Sequence, residues 1–362
     1  MVKLKLKVDD ILPEDAEATI DVPYNNVQYL KRAYDDLQEQ LAEFLQDSKA
    51  DWILYDFVPH WVSTMAKKLG IGRAYFSILI SVFICVMPVP TSDFLKIEDD
   101  RTAPEHFTVP PKWITFQTTI AYRLHEVIKI FDSMDNENAS GTSDMERLVL
   151  SVRDCDLICI RGCHEFDPEW IQLAEKLHGK PVIPVGQLPA TITDNTEDDS
   201  KLDEWLQIKA WPDQHAYASV VYVCFGSEAK PSQEEVTELA HGLEMSGIPF
   251  FWVLRTRRGL ADEDVVKLPE GFEDRSAGQG VVYTTWVPQI KILSHESVGG
   301  VFSHSGWSSV VEAMQFSKAL ILVTFLADQG INVRLVEEKM MGYCIPRREM
   351  MGGLVENLWL SR

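Results

Sequence analysis

Basic residues are in short supply: 34 Lys and Arg stand against 55 Asp and Glu in 362 residues, a formal net charge of −21. A field of that sign repels phosphate backbones and anionic lipid, which removes nucleic acid as an expected partner. Cysteine is scarce too. The six residues, Cys85, Cys155, Cys159, Cys163, Cys224 and Cys344, lie inside apolar runs and fit a reducing cytosol better than a disulfide framework. No run is long enough to cross a bilayer: the most hydrophobic window, "YFSILISVFICVMPV" at 75–89, falls short of the roughly 20 residues a span needs and reads as buried core. The amino terminus, "MVKLKLKVDD", alternates like a strand and has no apolar h-region, so it is not a signal peptide. A cytoplasmic monomer is the resulting expectation.

Several chemical signatures are missing as well. No G-x-G-x-x-G follows a strand and no G-K-[ST] appears, which excludes a dinucleotide fingerprint and a P-loop. The absence of G-x-S-x-G and H-E-x-x-H removes support for hydrolase and metalloprotease chemistry. Cys155, Cys159, Cys163 and His164 invite a zinc reading, but "CDLICIRGC" begins as an alternating strand, where residues four apart are separated by about 13 Å. Tetrahedral ligands must instead converge to about 2.3 Å from one ion, so no metal is expected.

What is present is the mix of a soluble globular protein, 46% apolar and 25% charged, at a length that calls for two domains. Residues 24–47 carry Leu30, Tyr34, Leu37, Leu41, Phe44 and Leu45 at spacings of three and four, the pattern of one amphipathic helix. A strand at 51–57 and a helix closed by Gly70 follow, then a helix over 113–132, a polar loop over 133–144, the strand "CDLICIR", the helix "PEWIQLAEKLHG" and the strand "PVIPVG". At 187–203 the periodicity is lost and Pro, Thr, Asn and Asp gather, as in a linker. Beyond it the strands "SVVYVCFGS", "PFFWVLR", "VVYTTW", "VGGVFS" and "ALILVTF" alternate with helices, the first of which opens with a capping box from Ser232 to Glu235. Such alternation makes parallel sheets covered on both faces. The expected fold class is α/β: a first Rossmann-like domain over 1–186, a linker over 187–204, and a second Rossmann-like domain over 205–362.

In doubly wound sheets, ligands bind beyond the carboxyl ends of the strands, and the unusual residues of 286–329 fall there. "VFSHSGWSSVVEAM" reads as strand, turn and helix, so His304, Gly306, Ser308 and Ser309 gather around a helix N-terminus suited to a phosphate. Ser227 ends a neighbouring strand and adds a hydroxyl. Glu312, one turn into the helix, can accept from two adjacent hydroxyls as in ribose binding. Trp286, read as a strand end, could stack on a flat base, with the main chain beside it at Val287 reading the base edge and Gln289 offering an amide. Asp328 and Gln329 supply acceptors and donors for a polyhydroxylated group. Taken singly, a tryptophan or histidine is more often core or surface than site; here the joint pattern decides.

The segment from Trp286 to Gln329 resembles the signature box of plant secondary-product UDP-glycosyltransferases, a family with two Rossmann-like domains facing across a cleft (the GT-B fold). Trp286, Pro288, Gln289, His295, His304, Gly306, Trp307, Ser309, Glu312, Asp328 and Gln329 fall at matching positions. The resemblance implies that Trp286 stacks on uracil, Gln289 contacts the nucleoside, and His304, Ser308, Ser309 and Ser227 hold the diphosphate. It further implies that Glu312 holds the ribose and that Asp328 with Gln329 holds the sugar. Ser308 stands where Asn is usual, and Ala319 and Thr324 where prolines are common. The variant "HSGWSSVVEA" with "ALILVTFLADQ" is similar to the branch that adds a sugar to an existing sugar, including rhamnosyltransferases of flavonoid and saponin glycosides.

The ends depart from the family pattern. The chain opens near what resembles the third strand, so the loop histidine that deprotonates the acceptor is not matched. It also stops before the closing helices, and both ends read as truncated. Asp56 matches the aspartate that orients that histidine; His60, four residues on, reads chiefly as an exposed helix-start residue and only secondarily as a replacement base. Missing opening strands would leave a long apolar sheet edge, and poor solubility is expected. The resemblance implies transfer of a sugar from a UDP-sugar to a hydroxyl of a small-molecule acceptor, flavonoid- or terpenoid-type and possibly already glycosylated. The displacement would be inverting and metal-independent, with no cofactor beyond the UDP-sugar co-substrate. The alternative is a UDP-sugar-binding remnant impaired in catalysis because the base is absent. Asp198–Asp199 reads as a solvated acidic run, not a metal pair.

Overall fold

The computed structural model describes residues 2–7, 11–13, 16–87, 99–134, 138–191, 199–226, 229, 231–256, 265–346, 348–349 and 355–356. They fall into two compact units, the first carrying the described residues up to Gln187 and the second those from Leu188 onward.

The first unit contains a parallel sheet in the order β1-β2-β3-β4, built from β1 (Trp52–Tyr55), β2 (Gly72–Ser77), β3 (Leu157–Ile160) and β4 (Val182–Pro184). Helix α1 (Val27–Asp35) and helix α2 (Gln38–Asp47) precede β1, and α3 (Val62–Leu69) links β1 to β2, ending at Gly70 with φ 71°. That left-handed turn is open to glycine at little cost and closes the helix. Of the window expected as core, residues 88–89 lie outside the described residues and Ile78 is exposed, but α4 (Ser81–Val86) is buried at every position. Helices α5 (Leu124–Met134), α6 (Asp144–Arg153) and α7 (Pro168–His178) complete the described helices of this unit.

Four expectations need correction here. Residues 2–7 alternate in burial at Leu4 and Leu6, but form no strand; Lys5 instead exchanges hydrogen bonds with the Gln40 side chain on α2, so the alternation has no ladder behind it. The helix expected over 24–47 is broken at Asp36–Leu37, and Tyr34 and Phe44 of its stripe are exposed while Ala33, Leu37 and Leu45 are buried. The helix expected over 113–132 starts only at Leu124; before it, Trp113 is buried in an irregular segment and donates from Nε1 to Cys85 O at 2.9 Å. In the stretch expected as linker, residues 192–198 lie outside the described residues and α8 (Asp199–Lys209) follows them.

Arg147 on α6, wholly buried, is a hub of the first unit. It donates to both Asp35 oxygens at 2.8 and 2.5 Å, to Val58 O at 2.8 Å and to Ser140 Oγ at 2.8 Å, and it meets His60 Nδ1 at 3.2 Å. Trp61 Nε1 donates to the same Asp35 at 3.0 Å. A buried guanidinium needs this many acceptors to offset its lost hydration.

The second unit is a six-stranded parallel sheet in the order β10-β9-β8-β5-β6-β7. Its strands are β5 (Val220–Cys224), β6 (Phe250–Val253), β7 (Gly280–Tyr283), β8 (Val298–Ser303), β9 (Ala319–Leu322) and β10 (Gly342–Cys344). Between them run α9 (Gln233–Ser246), α10 (Phe272–Arg275), α11 (Gln289–Leu293), α12 (Trp307–Gln315) and α13 (Gln329–Glu338). The capping box on α9 is present: Glu235 N bonds Ser232 Oγ, and Ser232 N bonds the Glu235 carboxylate. Every residue of β6 is buried, which is why the strand reads as a continuous apolar run rather than an alternating one. Val223, Leu239, Phe250, Trp252, Phe272 and Phe302 are in one core packed across strands and helices. The strand order reverses between β5 and β8. That reversal is the crevice where doubly wound sheets take ligands.

Among the described residues, no helix is long and apolar enough to cross a membrane. All six cysteines are free.

Candidate functional site

The carboxyl ends of β5 and β8 are held side by side by the register pair Cys224↔Ser303. Just beyond them stand Gly226 and His304. A Cβ on Gly226 would lie 2.8 Å from His304 Cε1, and one on Gly306 would lie 2.4 Å from His304 Nε2. The imidazole is therefore seated against two bare backbones, a fit that any side chain would spoil. Burial pushes the His304 pKa down to about 4, so the ring is neutral at pH 7 and can donate one N–H without bringing a full charge. Its Nδ1 lies 3.3 Å from Ser303 Oγ.

Ser305, between His304 and Gly306, takes φ 66°, a conformation uncommon for a residue with a side chain. Two bonds hold it there: Ser305 Oγ donates to Val323 O at 2.9 Å, and Asn332 Nδ2 donates to Ser305 O at 3.0 Å. The turn delivers Gly306 as the N-cap of α12, with exposed Ser308 and half-buried Ser309 in the first turn. The backbone N–H groups of the first helical turn, two hydroxyls and the positive helix end are thus gathered beside a neutral imidazole. Trp307 is 4% exposed, so its indole is core, not a wall of the site; only its backbone belongs to the turn. Ser227 lies outside the described residues.

One helical turn on, Glu312 is half-buried and accepts at Oε2 from Gln289 Nε2 at 2.5 Å. Gln289 opens α11, so the start of that helix is tied to the second turn of α12 by an amide and a carboxylate. Trp286 does not end a strand as expected: β7 stops at Tyr283, and Trp286 follows in the irregular stretch before α11, 61% exposed. Val287 is buried at its side chain, leaving its main chain as the group it can offer.

Six residues beyond the end of β9, and not at the strand end as expected, Asp328 caps α13 and Gln329 begins it. Gln329 Oε1 accepts from Phe325 N at 2.7 Å and Leu326 N at 3.0 Å, so half of its amide braces the loop. Asp328 Oδ2 accepts from Asn332 Nδ2 at 2.7 Å, and burial raises its pKa. Asn332, wholly buried, therefore couples the His304 turn to the Asp328 carboxylate. The sequence reading missed it. Its signal was its place four residues after Asp328, the spacing that stacks side chains on one helix face.

In the first unit, Asp56 immediately follows β1 and accepts from Val58 N at 3.0 Å. His60 is not the exposed residue expected: it is half-buried, with Nδ1 facing Arg147, and burial and that cation both lower its pKa. Among the described residues no three His, Cys, Asp or Glu side chains gather as a metal ion would need.

The sequence profile described as UDP-glucoronosyl and UDP-glucosyl transferase matches residues 156–358. The chain belongs to the plant secondary-product UDP-glycosyltransferase family. Among its relatives, the Arabidopsis thaliana UDP-glycosyltransferase 91A1 is 46% identical over 97% of this chain and 73% of its own length. The Glycine max soyasaponin III rhamnosyltransferase is 39% identical over 97% of this chain and 73% of its own. In fold, the glycosyltransferase UGT71G1 of Medicago truncatula, solved with UDP-glucose, superposes with a TM-score of 0.67 at 22% identity, covering 92% of this chain and 71% of that one. That likeness fixes the fold class, two Rossmann-like units of the GT-B type. The glycosyltransferase's box residues thus lie on the second unit, most of them at helix starts beyond the carboxyl ends of its strands.

Proposed function

We propose that the second unit binds a UDP-sugar and that the protein transfers the sugar to a hydroxyl of a small-molecule acceptor. The observation that carries the donor half is the seating of neutral His304 at the N-terminus of α12, one turn from Glu312 and its Gln289 partner. In this reading Trp286 stacks on the uracil, Gln289 and Glu312 hold the nucleoside, and His304, Gly306, Ser308 and Ser309 hold the diphosphate, while Asp328 and Gln329 face the sugar. As the sugar–phosphate bond breaks, negative charge grows on the departing UDP. The backbone N–H groups of the helix start and the neutral imidazole donor are aimed at that charge. This arrangement asks for no metal, and chelator should leave turnover unchanged.

The acceptor class is carried by relatives: the soyasaponin rhamnosyltransferase and its kin support an acceptor that already bears a sugar. Free cysteines support residence in the reducing cytosol.

A second reading, donor binding without transfer, has its own observation. An acceptor hydroxyl needs a base, yet among the described residues Asp56 pairs with the backbone of Val58, and Nδ1 of His60 is taken by Arg147. Calorimetry with UDP, followed by mass spectrometry of products from UDP-glucose or UDP-rhamnose and a panel of phenolic and terpenoid glycosides, separates the two. Product formation supports transfer. UDP binding without product supports the second reading, and no UDP binding defeats both.

A further inference from the structure

This inference rests on the donor reading above and adds one residue to it. Tyr222 stands in the middle of β5, at the reversal of strand order, and is 1% exposed. A phenol hydroxyl so far from water needs a protein acceptor, and it has one: it donates to Gln289 Oε1 at 3.3 Å. On its other side the same amide donates from Nε2 to Glu312 Oε2 at 2.5 Å. A carboxylate only accepts, so the amide must turn its NH2 toward Glu312, and its oxygen is then left facing the phenol.

We propose that Tyr222 is a positioning residue of the nucleotide site: its hydroxyl anchors the oxygen end of the Gln289 amide, whose NH2 holds one Glu312 oxygen and leaves the other to accept the ribose hydroxyls. Without the phenolic donor, the amide keeps its NH2 on the carboxylate but loses the anchor at its oxygen end, and the Gln289–Glu312 pair can swing together. A carboxylate that swings with its amide no longer waits in place for the ribose hydroxyls. Glu312 Oε1 has no protein partner among the described residues, as a waiting acceptor should not.

The ring itself is core, packed 6.1 Å from Phe251. Phenylalanine fills the same space, so Tyr222→Phe removes the hydroxyl alone. The test measures binding of UDP and of 2′,3′-dideoxy-UDP, which lacks the ribose hydroxyls, to the full chain by calorimetry. Tyr222→Phe is expected to raise the Kd for UDP roughly fivefold to tenfold, as loss of one buried hydrogen bond does, and to change the Kd for the dideoxy nucleotide less than about twofold. In a Gln289→Ala background the same substitution should have no further effect, because Tyr222 acts through that amide. Equal losses for the two nucleotides, an unchanged Kd for UDP, or a full effect without Gln289 would each overturn the assignment. A wild-type chain that binds neither nucleotide overturns the donor reading itself, and this inference with it.

Discussion

Gln289 Nε2 lies 2.5 Å from Glu312 Oε2, joining the first residue of α11 to the second turn of α12. The pair makes the carboxylate a fixed acceptor rather than a mobile surface charge. Glu312→Gln keeps the shape but replaces a charged acceptor by a neutral amide. We expect the Kd for UDP to rise roughly tenfold, about 1.5 kcal/mol, with little change in melting temperature; calorimetry alongside a thermal melt checks both.

The two tryptophans of the box should separate cleanly. Trp286 is 61% exposed and Trp307 is 4% exposed. Trp286→Ala should leave stability nearly unchanged and weaken UDP binding roughly tenfold, the scale of a lost base–aromatic stack. Trp307→Ala should instead lower stability by about 3 kcal/mol or more, visible in urea unfolding before any ligand is added.

Glycine substitutions offer an internal contrast. Gly306→Ala forces His304 to move, because the new methyl would lie 2.4 Å from Nε2, and should cost about 1–3 kcal/mol together with most UDP affinity. Gly242 lies inside α9 with nothing within 4 Å of an added methyl. There the same change to alanine should stabilise the fold by about 0.5–1 kcal/mol, since glycine is a poor helix residue. Chemical denaturation of both variants decides the matter.

Acid should weaken the fold through buried neutral histidines. Burial pushes His304 and His178 down to about 4 in the folded state, whereas the unfolded chain takes up protons near pH 6.5. Between these limits the unfolded state holds more protons, so stability is complete above about pH 6.5 and declines as pH falls toward about 4. Each ring should remove about 1–2 kcal/mol between pH 7 and pH 5. Urea midpoints at the two pH values measure the slope, which His304→Gln should reduce; a flat profile would contradict the burial argument.

Among the described residues β1 is an edge strand of the first sheet and exposes Trp52 and Leu54, 55% and 61% accessible. An apolar edge strand invites pairing with another chain. Self-association at micromolar concentration is expected in light scattering, and Leu54→Lys should suppress it.

Much of this was legible in the sequence, and the misses have physical reasons. In the second unit β5, β6 and β8 are largely buried apolar runs, so these strands and the box could be placed from pattern alone, whereas the three-residue β10, with Tyr343 exposed, carries no such run and was not read. α6 was overlooked because its buried face carries Arg147 and Ser151 beside Leu148 and Val152, and polar residues break the apolar period. The break at Asp36–Leu37 was hidden because the apolar spacing runs on across it. Residue types in the box told which groups were available. The bond from Gln289 to Glu312, the glycine seat of His304 and the bridge through Asn332 all join positions on different elements, and only the folded chain brings those together.

The guanidinium of Arg147 has a further consequence. It is fastened at once to the helix ending at Asp35, to the loop after β1 and to Ser140, so none of these can detach without stranding a cation away from water. The opening helical segment is accordingly not an appendage that frays alone. Its amide protons should exchange with solvent only when the entire first unit opens, and a protease cut between residues 36 and 57 would leave two fragments still clasped together.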